Sequence, residues 1–224
     1  MRYPGGKGKC YQRLINLMPS HRVYIESHLG GGSVFLRKRP ANRTIGIDRD
    51  PKVIAMWQAK PRPSCELVCE DAAEFLSSYT FVGDELVYAD PPYVHSTRRK
   101  TKLYRHEYSD ADHERLLDVL RTLPCKVMLS GYPCELYENK LLGWERVSFS
   151  VNSQAGVREE CVWMNFTPPD DLHDGRFLGD NFRERQAIKR RYARMEHKFS
   201  KLEPRERNEL LKALNRRFGV RPGE

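Results

Sequence analysis

Short apolar runs alternate with helix-type stretches along most of the chain, and this alternation predicts an α/β fold. The predicted strands cover residues 23–25, 44–47, 67–70, 85–89, 126–130, 144–150 and 160–166. The predicted helices cover residues 10–18, 51–59, 72–78, 112–121 and 134–141. We therefore expect one sheet of about seven strands, whose last two strands are candidates for an antiparallel pair.

The pattern changes after Pro168 and Pro169, where the strand signals stop. Apolar residues then recur at spacings of 4, 3, 4 and 3, which is typical of one face of a helix; they are Ile188, Tyr192, Met195, Phe199 and Leu202. Pro204 favours the start of a second helix, which carries Leu210, Leu211, Leu214 and Phe218. We expect a domain over residues 1–168 and a helical C-terminal hairpin over residues 171–224.

Charge and cysteine content narrow the class of protein. The 224 residues carry a formal net charge of +9, and residues 171–224 hold 15 Lys and Arg against 9 Asp and Glu. This excess favours a polyanionic partner, nucleic acid before membrane, and no apolar run is long enough for a membrane span. The six scattered cysteines indicate reduced thiols in a cytoplasmic protein and no metal site, since Cys65 and Cys69 are the only close pair.

The main candidate for chemistry is the tetrapeptide Asp90, Pro91, Pro92 and Tyr93, which follows the predicted strand at 85–89. In α/β sheets, ligands bind where strands end. A short carboxylate accepts hydrogen bonds from an amino group, the prolines remove two backbone donors, and a tyrosine ring can stack on a planar base. The exocyclic amine of a nucleobase satisfies all three features. The alternative is a Pro-rich turn with a packed tyrosine.

Three acidic residues and a glycine turn predict a nucleotide-type cofactor site. Glu26 ends the first strand, and a turn with Gly30 and Gly32 leads towards a helix, which is the geometry of a cofactor loop. Asp48 ends the second strand, where a carboxylate typically binds ribose hydroxyls, or it is a capping residue. Asp71 ends the third strand, where it either meets a cofactor adenine or caps the next helix.

Two basic segments complete the set of candidates. The N-terminus, with Tyr3 and Lys7 among glycines, is either a flexible end or a place where backbone and a cation approach a carboxylate. Residues 94–108 mix basic and aromatic side chains, which suits a loop over a pocket that also grips phosphates, or a solvated surface loop. The candidate phosphate contacts are Arg98, Arg99, Lys100, Lys102 and Arg105.

Together these motifs resemble the DNA adenine methylase family, the Dam-like adenine-N6 methyltransferases. The residues from Tyr3 to Lys7 are similar to its N-terminal cofactor motif, those from Glu26 to Phe35 to its glycine motif, and Asp48 to its ribose-binding acid. The tetrapeptide from Asp90 is its intact catalytic motif. The resemblance covers residues 2–166, about three quarters of the chain. It implies a Rossmann-like fold, S-adenosylmethionine as cofactor and methyl transfer to adenine in DNA.

The chain also departs from the family. Ser27 and His28 replace its usual Pro and Phe, and only 41 residues separate Asp48 from Asp90, where members usually carry a target-recognition segment. We therefore expect a short or relaxed sequence preference. The alternatives are a non-catalytic nucleic-acid-binding protein on this fold and an RNA amino methyltransferase. The basic C-terminal helices are expected to bind DNA, to dock on the core or to mediate self-association.

Overall fold

A seven-stranded mixed sheet forms the centre of the molecule. The computed structural model describes residues 6–60, 65–98, 104–153 and 156–219, without the side chains of residues 152 and 153. The strands are β1 (Val23–Glu26), β2 (Arg43–Ile47), β3 (Glu66–Val68), β4 (Glu85–Ala89), β5 (Lys126–Gly131), β6 (Glu145–Ser153) and β7 (Gly156–Met164). Their order is β3-β2-β1-β4-β5-β7-β6, and β7 runs antiparallel to both neighbours. The predicted α/β sheet with a final antiparallel pair is confirmed.

Several helices begin at a residue whose side chain caps their first turn. They are α1 (Tyr11–Ile15), α2 (Pro51–Gln58), α3 (Ala72–Ser78), α4 (Asp110–Thr122), α5 (Glu135–Lys140), α6 (Phe182–Ser200) and α7 (Pro204–Phe218). Asp50 accepts a hydrogen bond from the Lys52 amide, and Pro51 occupies the first turn of α2. Ser109 and Asp112 form a reciprocal capping box at α4, which fixes its start two residues before the predicted one.

The central strand β4 is covered on both faces, as strands of parallel sheets usually are. All five of its residues are buried. Val87 and Ala89 face one apolar cluster, which includes the α4 residue Leu116. Leu86 and Tyr88 face the other, which α1 covers. Because side chains alternate between faces along a strand, this short apolar run holds the two halves of the core together.

The strand order reverses between β1 and β4. Chain order runs outward from β1 through β2 to β3 on one side, and from β4 to β5 on the other. In open α/β sheets a crevice forms outside the carboxyl ends of the strands at such a point. The segments that follow β1, β2 and β4 therefore meet there, and these are the segments that carry the candidate site residues.

The residues that follow β7 are shared between two compact units of the chain. Contacts within the chain separate one compact unit that ends at Phe177 from another that begins at Leu178. Residues 172–177 belong to the first unit, where the His173 amide donates to the Met18 carbonyl (3.0 Å) and the Phe177 ring packs edge-on against Tyr11. The proposed domain boundary at residues 168–171 stays a prediction.

The second unit contains both predicted C-terminal helices. They bury fewer apolar side chains than a packed helical hairpin would. On α6, Ile188 is buried while Tyr192 and Met195 are about half exposed (49% and 52%). No residue of α7 is buried among those described, and its four large apolar residues remain 36–72% exposed. A pair of helices offers too little apolar area to enclose a core of its own. Across the described chain, every helix is too short or too polar to cross a membrane.

Candidate active site

A pocket opens at the switch point of the sheet, between the segments that follow β1, β2 and β4. It has about 760 Å³ of empty space when its open mouth is included. Its walls bring together the turn after β1, the tip of β2 and the start of the loop after β4. The predicted site residues among its lining are Lys7, Glu26, Gly30, Gly32, Asp48, Asp90, Pro91 and Pro92.

One end of the pocket is a glycine turn that only glycine can make. Gly30 and Gly32 have φ values of +42° and +57°, in the left-handed region. A Cβ atom on Gly32 would lie 2.2 Å from Cζ2 of Trp57, so the turn packs directly on that ring. The Trp57 indole N–H donates to the Gly30 carbonyl at 2.8 Å. The turn is therefore held rigidly, and its backbone forms the pocket wall.

Asp48 ties the tip of β2 to the same turn. Its carboxylate accepts hydrogen bonds from the backbone amides of Gly30 (2.8 Å) and Asp50 (2.9 Å). The residue is 8% exposed, and burial raises the pKa of its carboxyl against the lowering effect of those two bonds. Asp48 thus orders the loop and still lines the pocket.

At the opposite end, four side chains from distant parts of the sequence form one buried polar cluster. Lys7 donates to Asp90 in a short ion pair and to the Tyr93 hydroxyl at 2.6 Å. The Tyr93 hydroxyl donates to both oxygens of Glu160, at 2.8 and 3.0 Å. Glu160 also lies 3.3 Å from the Lys7 ammonium. Two carboxylates therefore share one lysine, and we refer to these four residues as the Asp90 cluster.

Burial sets the protonation of the Asp90 cluster. It raises the pKa of Asp90 to about 6, helped by the negative charge of Glu160 and opposed by Lys7. Burial lowers the pKa of Lys7, but the charges of Asp90 and Glu160 outweigh it, so the net shift is upward and the ammonium stays charged. Near neutral pH the pocket thus presents an ionised carboxylate, which accepts hydrogen bonds and donates none.

Glu26, at the end of β1, is a second buried carboxyl on the pocket wall. It is 3% exposed and accepts a hydrogen bond from the Tyr24 hydroxyl at 2.7 Å. Burial raises its pKa to about 8. A buried carboxyl with so high a pKa favours a cationic ligand, whose charge would stabilise the ionised form.

The sequence match assigns this geometry to a known family. The family model for D12 class N6 adenine-specific DNA methyltransferases matches residues 3–81 and 63–153. The chain belongs to the D12 class of N6 adenine-specific DNA methyltransferases. The resemblance inferred from the four motifs is thereby confirmed, and with it an S-adenosylmethionine-dependent adenine DNA methyltransferase. No curated protein matches the sequence significantly.

Several solved structures are similar to this D12 methyltransferase. Precorrin 8w decarboxylase from Methanobacterium thermoautotrophicum is 12% identical with a TM-score of 0.46, over 74% of this chain and 94% of that chain. A tRNA (uracil-54, C5)-methyltransferase from Pyrococcus abyssi is 17% identical with a TM-score of 0.44, over 69% and 36% of the two chains. An rRNA methylase from Streptococcus thermophilus is 12% identical with a TM-score of 0.40, over 69% and 92%.

Other predicted site residues of the D12 methyltransferase lie beside the pocket. Asp71 caps α3 by accepting a hydrogen bond from the Ala73 amide (3.0 Å), and capping is one of the two roles predicted for it. It also pairs with Arg115 at 2.8 Å. It is not among the lining residues of the described pocket, although its neighbour Ala72 is. Tyr93 is 6% exposed and packs against Tyr132 with 4.2 Å between ring centroids.

The structure describes the side chains of two of the five candidate phosphate contacts. The Arg98 side chain is only 3% exposed and lies 2.7 Å from a carboxylate oxygen of Glu107. Arg105 is half exposed and forms a short ion pair with Asp50 at the edge of the pocket. The remaining candidates, Arg99, Lys100 and Lys102, lie outside the described residues, as does Tyr3 of the cofactor set.

Several residues at the site were absent from the sequence-based set, and three of them matter most for its chemistry. Tyr104 and Tyr108 line the pocket, and the Tyr108 hydroxyl lies 3.0 Å from His28 Nε2. Glu160 is the third, inside a strand whose last five residues are all buried. A glutamate among apolar strand residues is the one signal that could have marked it. Among described residues, no group of three His, Cys, Asp or Glu side chains could hold a metal ion, and none of the six cysteines forms a disulfide bond.

Proposed function

We propose that this methyltransferase holds the N6 amine of adenine between Asp90 and the Pro91 carbonyl during methyl transfer. The observation that carries this is the ionised, largely buried Asp90 at the pocket wall, 17% exposed and fixed by Lys7. The amine is a weak nucleophile because its lone pair is delocalised into the ring. Hydrogen bonds to two acceptors favour a nitrogen whose lone pair points at the methyl group, so catalysis is mainly positioning and electrostatics.

The residues of the pocket fit S-adenosylmethionine at the glycine end. Bound there, the cofactor supplies an electrophilic methyl group. We assign Glu26 to its cationic amino group, because that buried carboxyl favours a positive partner. We assign Asp48 to ribose hydroxyls and the turn at Gly30 and Gly32 to close backbone contact, since all three line the pocket. Tyr3, Lys7, Asp71 and Asp90 complete the proposed cofactor set.

The part of the pocket around Asp90, which we call its amine end, has walls that suit a planar base. Pro91 and Pro92 line the pocket and present carbonyls without competing N–H donors. The sequence predicts that Tyr93 stacks on the base. Its hydroxyl is tied to Glu160 and its ring packs on Tyr132, which supports a role at the back of this wall. Tyr104 lines the pocket directly and offers a second aromatic face.

DNA reaches such a pocket only when the target base leaves the helix or is already unpaired. The segment between Asp48 and Asp90 is taken up by α2, β3, α3 and β4. Apart from residues 61–64, that segment is described and holds no further subdomain for base readout. What remains for DNA contact is positive charge, from the basic residues of segment 99–105 and from α6, since the Arg98 side chain is buried against Glu107. We therefore propose that the enzyme methylates DNA with relaxed sequence preference and that it acts in the cytoplasm. The exposed apolar residues of α7 support self-association.

Methylation of a mixed-sequence DNA, read at single-base resolution at two salt concentrations, tests this proposal. Since charge binds phosphate regardless of sequence, we expect modified adenines in many contexts and log affinity falling with log salt by about 0.9 per phosphate neutralised. Replacing the exposed α6 residues Arg190, Arg191 and Arg194 by glutamine should flatten the salt slope. The same change at Arg22 and Arg121 is the control. Modification within a single defined site of about four or more bases would refute relaxed specificity.

A further inference from the structure

Glu160 is a buried carboxylate that closes the Asp90 cluster from outside the matched family region, which ends at residue 153. Its side chain is 5% exposed. Its oxygens accept from the Tyr93 hydroxyl at 2.8 and 3.0 Å, and one of them lies 3.3 Å from the Lys7 ammonium. Burying a carboxylate at this depth is costly without such partners. Glu160 is not among the lining residues described for the pocket, so it acts through the residues that it touches.

The balance of charge shows what this contact changes. Asp90 and Lys7 alone would form a neutral ion pair. With Glu160 also beside Lys7, the three groups in their ionised forms carry a net charge of −1. As the N6 lone pair bonds to the methyl carbon, the bond between that carbon and the sulfonium sulfur breaks and its electron pair stays on sulfur. The positive charge thereby moves to the amine nitrogen, which becomes neutral again when it loses a proton. A net negative charge beside that nitrogen stabilises the transition state more than the ground state, which is the requirement for catalysis.

We propose that Glu160 is a positioning residue for methyl transfer: it holds Lys7 and Tyr93 in place and offsets the charge of Lys7, so that Asp90 meets the amine as a net anion. The inference rests on the proposed function of the pocket. It assigns Lys7 to the amine end of the pocket as well as to the cofactor, since its ammonium is engaged by two carboxylates.

The protonation of Asp90 links this arrangement to pH. Burial raises its pKa to about 6, Lys7 lowers it and Glu160 raises it. In the free protein, the other titratable groups that surround Asp90 stay neutral near this pH, because burial raises their pKa values too; they are Cys10, Tyr24, Glu26, Tyr88, Tyr93, Tyr104, Tyr132 and Tyr137. Loss of the Glu160 charge should therefore lower the pKa of Asp90.

The variant Glu160→Gln removes the charge and keeps the shape of the side chain. Its control is Glu159→Gln, the same change one position earlier in β7, where the side chain is 51% exposed and pairs with Arg146. The measurement is the single-turnover rate of methyl transfer to DNA at saturating S-adenosylmethionine, across pH 5–8. We expect Glu160→Gln to lower the rate on the order of tenfold or more and to move its acid limb to lower pH. Glu159→Gln should change neither.

A second readout is independent of activity. Titration of the Asp90 carboxyl by ¹³C NMR in the protein without substrate should give a lower pKa in Glu160→Gln than in the wild type. Glu160→Asp keeps the charge and should return the pKa towards the wild-type value. Thermal unfolding of each protein shows whether the variants fold. If Glu160→Gln folds poorly, Glu160→Asp provides the comparison with the wild type.

A double-mutant cycle with Lys7→Gln separates positioning from simple stability. If Glu160 acts through Lys7, the combined variant should lose less activity than the product of the two single losses. A fall in rate with an unmoved acid limb and additive effects would overturn the proposal, as would wild-type behaviour of Glu160→Gln. Failure of the wild type itself to methylate DNA would instead refute the proposed function, and the NMR titration would still show whether Glu160 and Asp90 are coupled.

Discussion

The two ends of the pocket are built in different ways. The glycine end is made of backbone, with Gly30, Gly32 and Asp48 held by Trp57 and by main-chain amides. The amine end is made of buried charge, and its contacts join residues 83, 86 and 67 positions apart in the chain. One end therefore owes its function to shape, and the other to the balance of charges. Substitutions at the two ends should separate cofactor binding from methyl transfer.

The largest effect is expected at the amine end. Asp90→Ala removes the ionised acceptor for the amine, and we expect methyl transfer to slow by about 10²–10³-fold, the range for losing one preorganised group. The effect on cofactor affinity, measured by calorimetry, should be much smaller. The control is Asp118→Ala, which removes a carboxylate on α4 that is 55% exposed. Wild-type turnover of Asp90→Ala would exclude the assigned mechanism.

At the glycine end, Gly32→Ala should damage the fold and the cofactor site together. The added Cβ atom would lie 2.2 Å from Trp57, and overpacking of this kind costs about 1–3 kcal/mol. Gly143→Ala is the matched control, because Gly143 has a φ of +85° but nothing within 4 Å of the added carbon. That change should cost only the backbone strain of about 1–2 kcal/mol. Thermal unfolding gives both values, and equal losses would show that the Trp57 contact contributes nothing.

Asp48→Ala should act mainly on cofactor binding. We expect affinity for S-adenosylmethionine to fall by about 1–3 kcal/mol, the range for lost hydrogen bonds to a charged group. Calorimetry on the variant and on Asp118→Ala measures the difference. Unchanged affinity in Asp48→Ala would remove the ribose assignment, whatever the role of this carboxylate in holding the Gly30 amide.

The last effect concerns pH, and it is the smallest over any single pH unit. Below its pKa of about 8, Glu26 is protonated in the free protein, and binding of a cationic amino group requires it to ionise. Cofactor affinity should therefore fall as the pH drops from about 8 to 6, by at most about tenfold per unit. Glu26→Gln cannot ionise and should lose this dependence. A wild-type affinity that does not change between pH 6 and 8 would contradict the assignment of Glu26.

The same contrast explains what could be predicted from the sequence. The strands, the helix α2 and the glycine turn depend on residues close in the chain, and they were predicted with small errors at their ends. Tyr93 was predicted as a stacking residue from its type alone, and its hydroxyl partner Glu160 was missed because their contact joins residues 67 positions apart. The α7 helix was predicted correctly from Pro204 onward, whereas its unburied apolar face depends on what lies nearby in space.

The identity of the methylated atom tests the central claim most directly. DNA and RNA of mixed sequence are incubated with the protein and with S-adenosylmethionine that carries a labelled methyl group, and the nucleosides are then analysed by mass spectrometry. We expect the label on N6 of deoxyadenosine with the wild-type protein, and its loss with Asp90→Ala. Label on cytosine or in RNA alone would contradict adenine in DNA as the substrate. Equal labelling by the two proteins would contradict an amine site centred on Asp90.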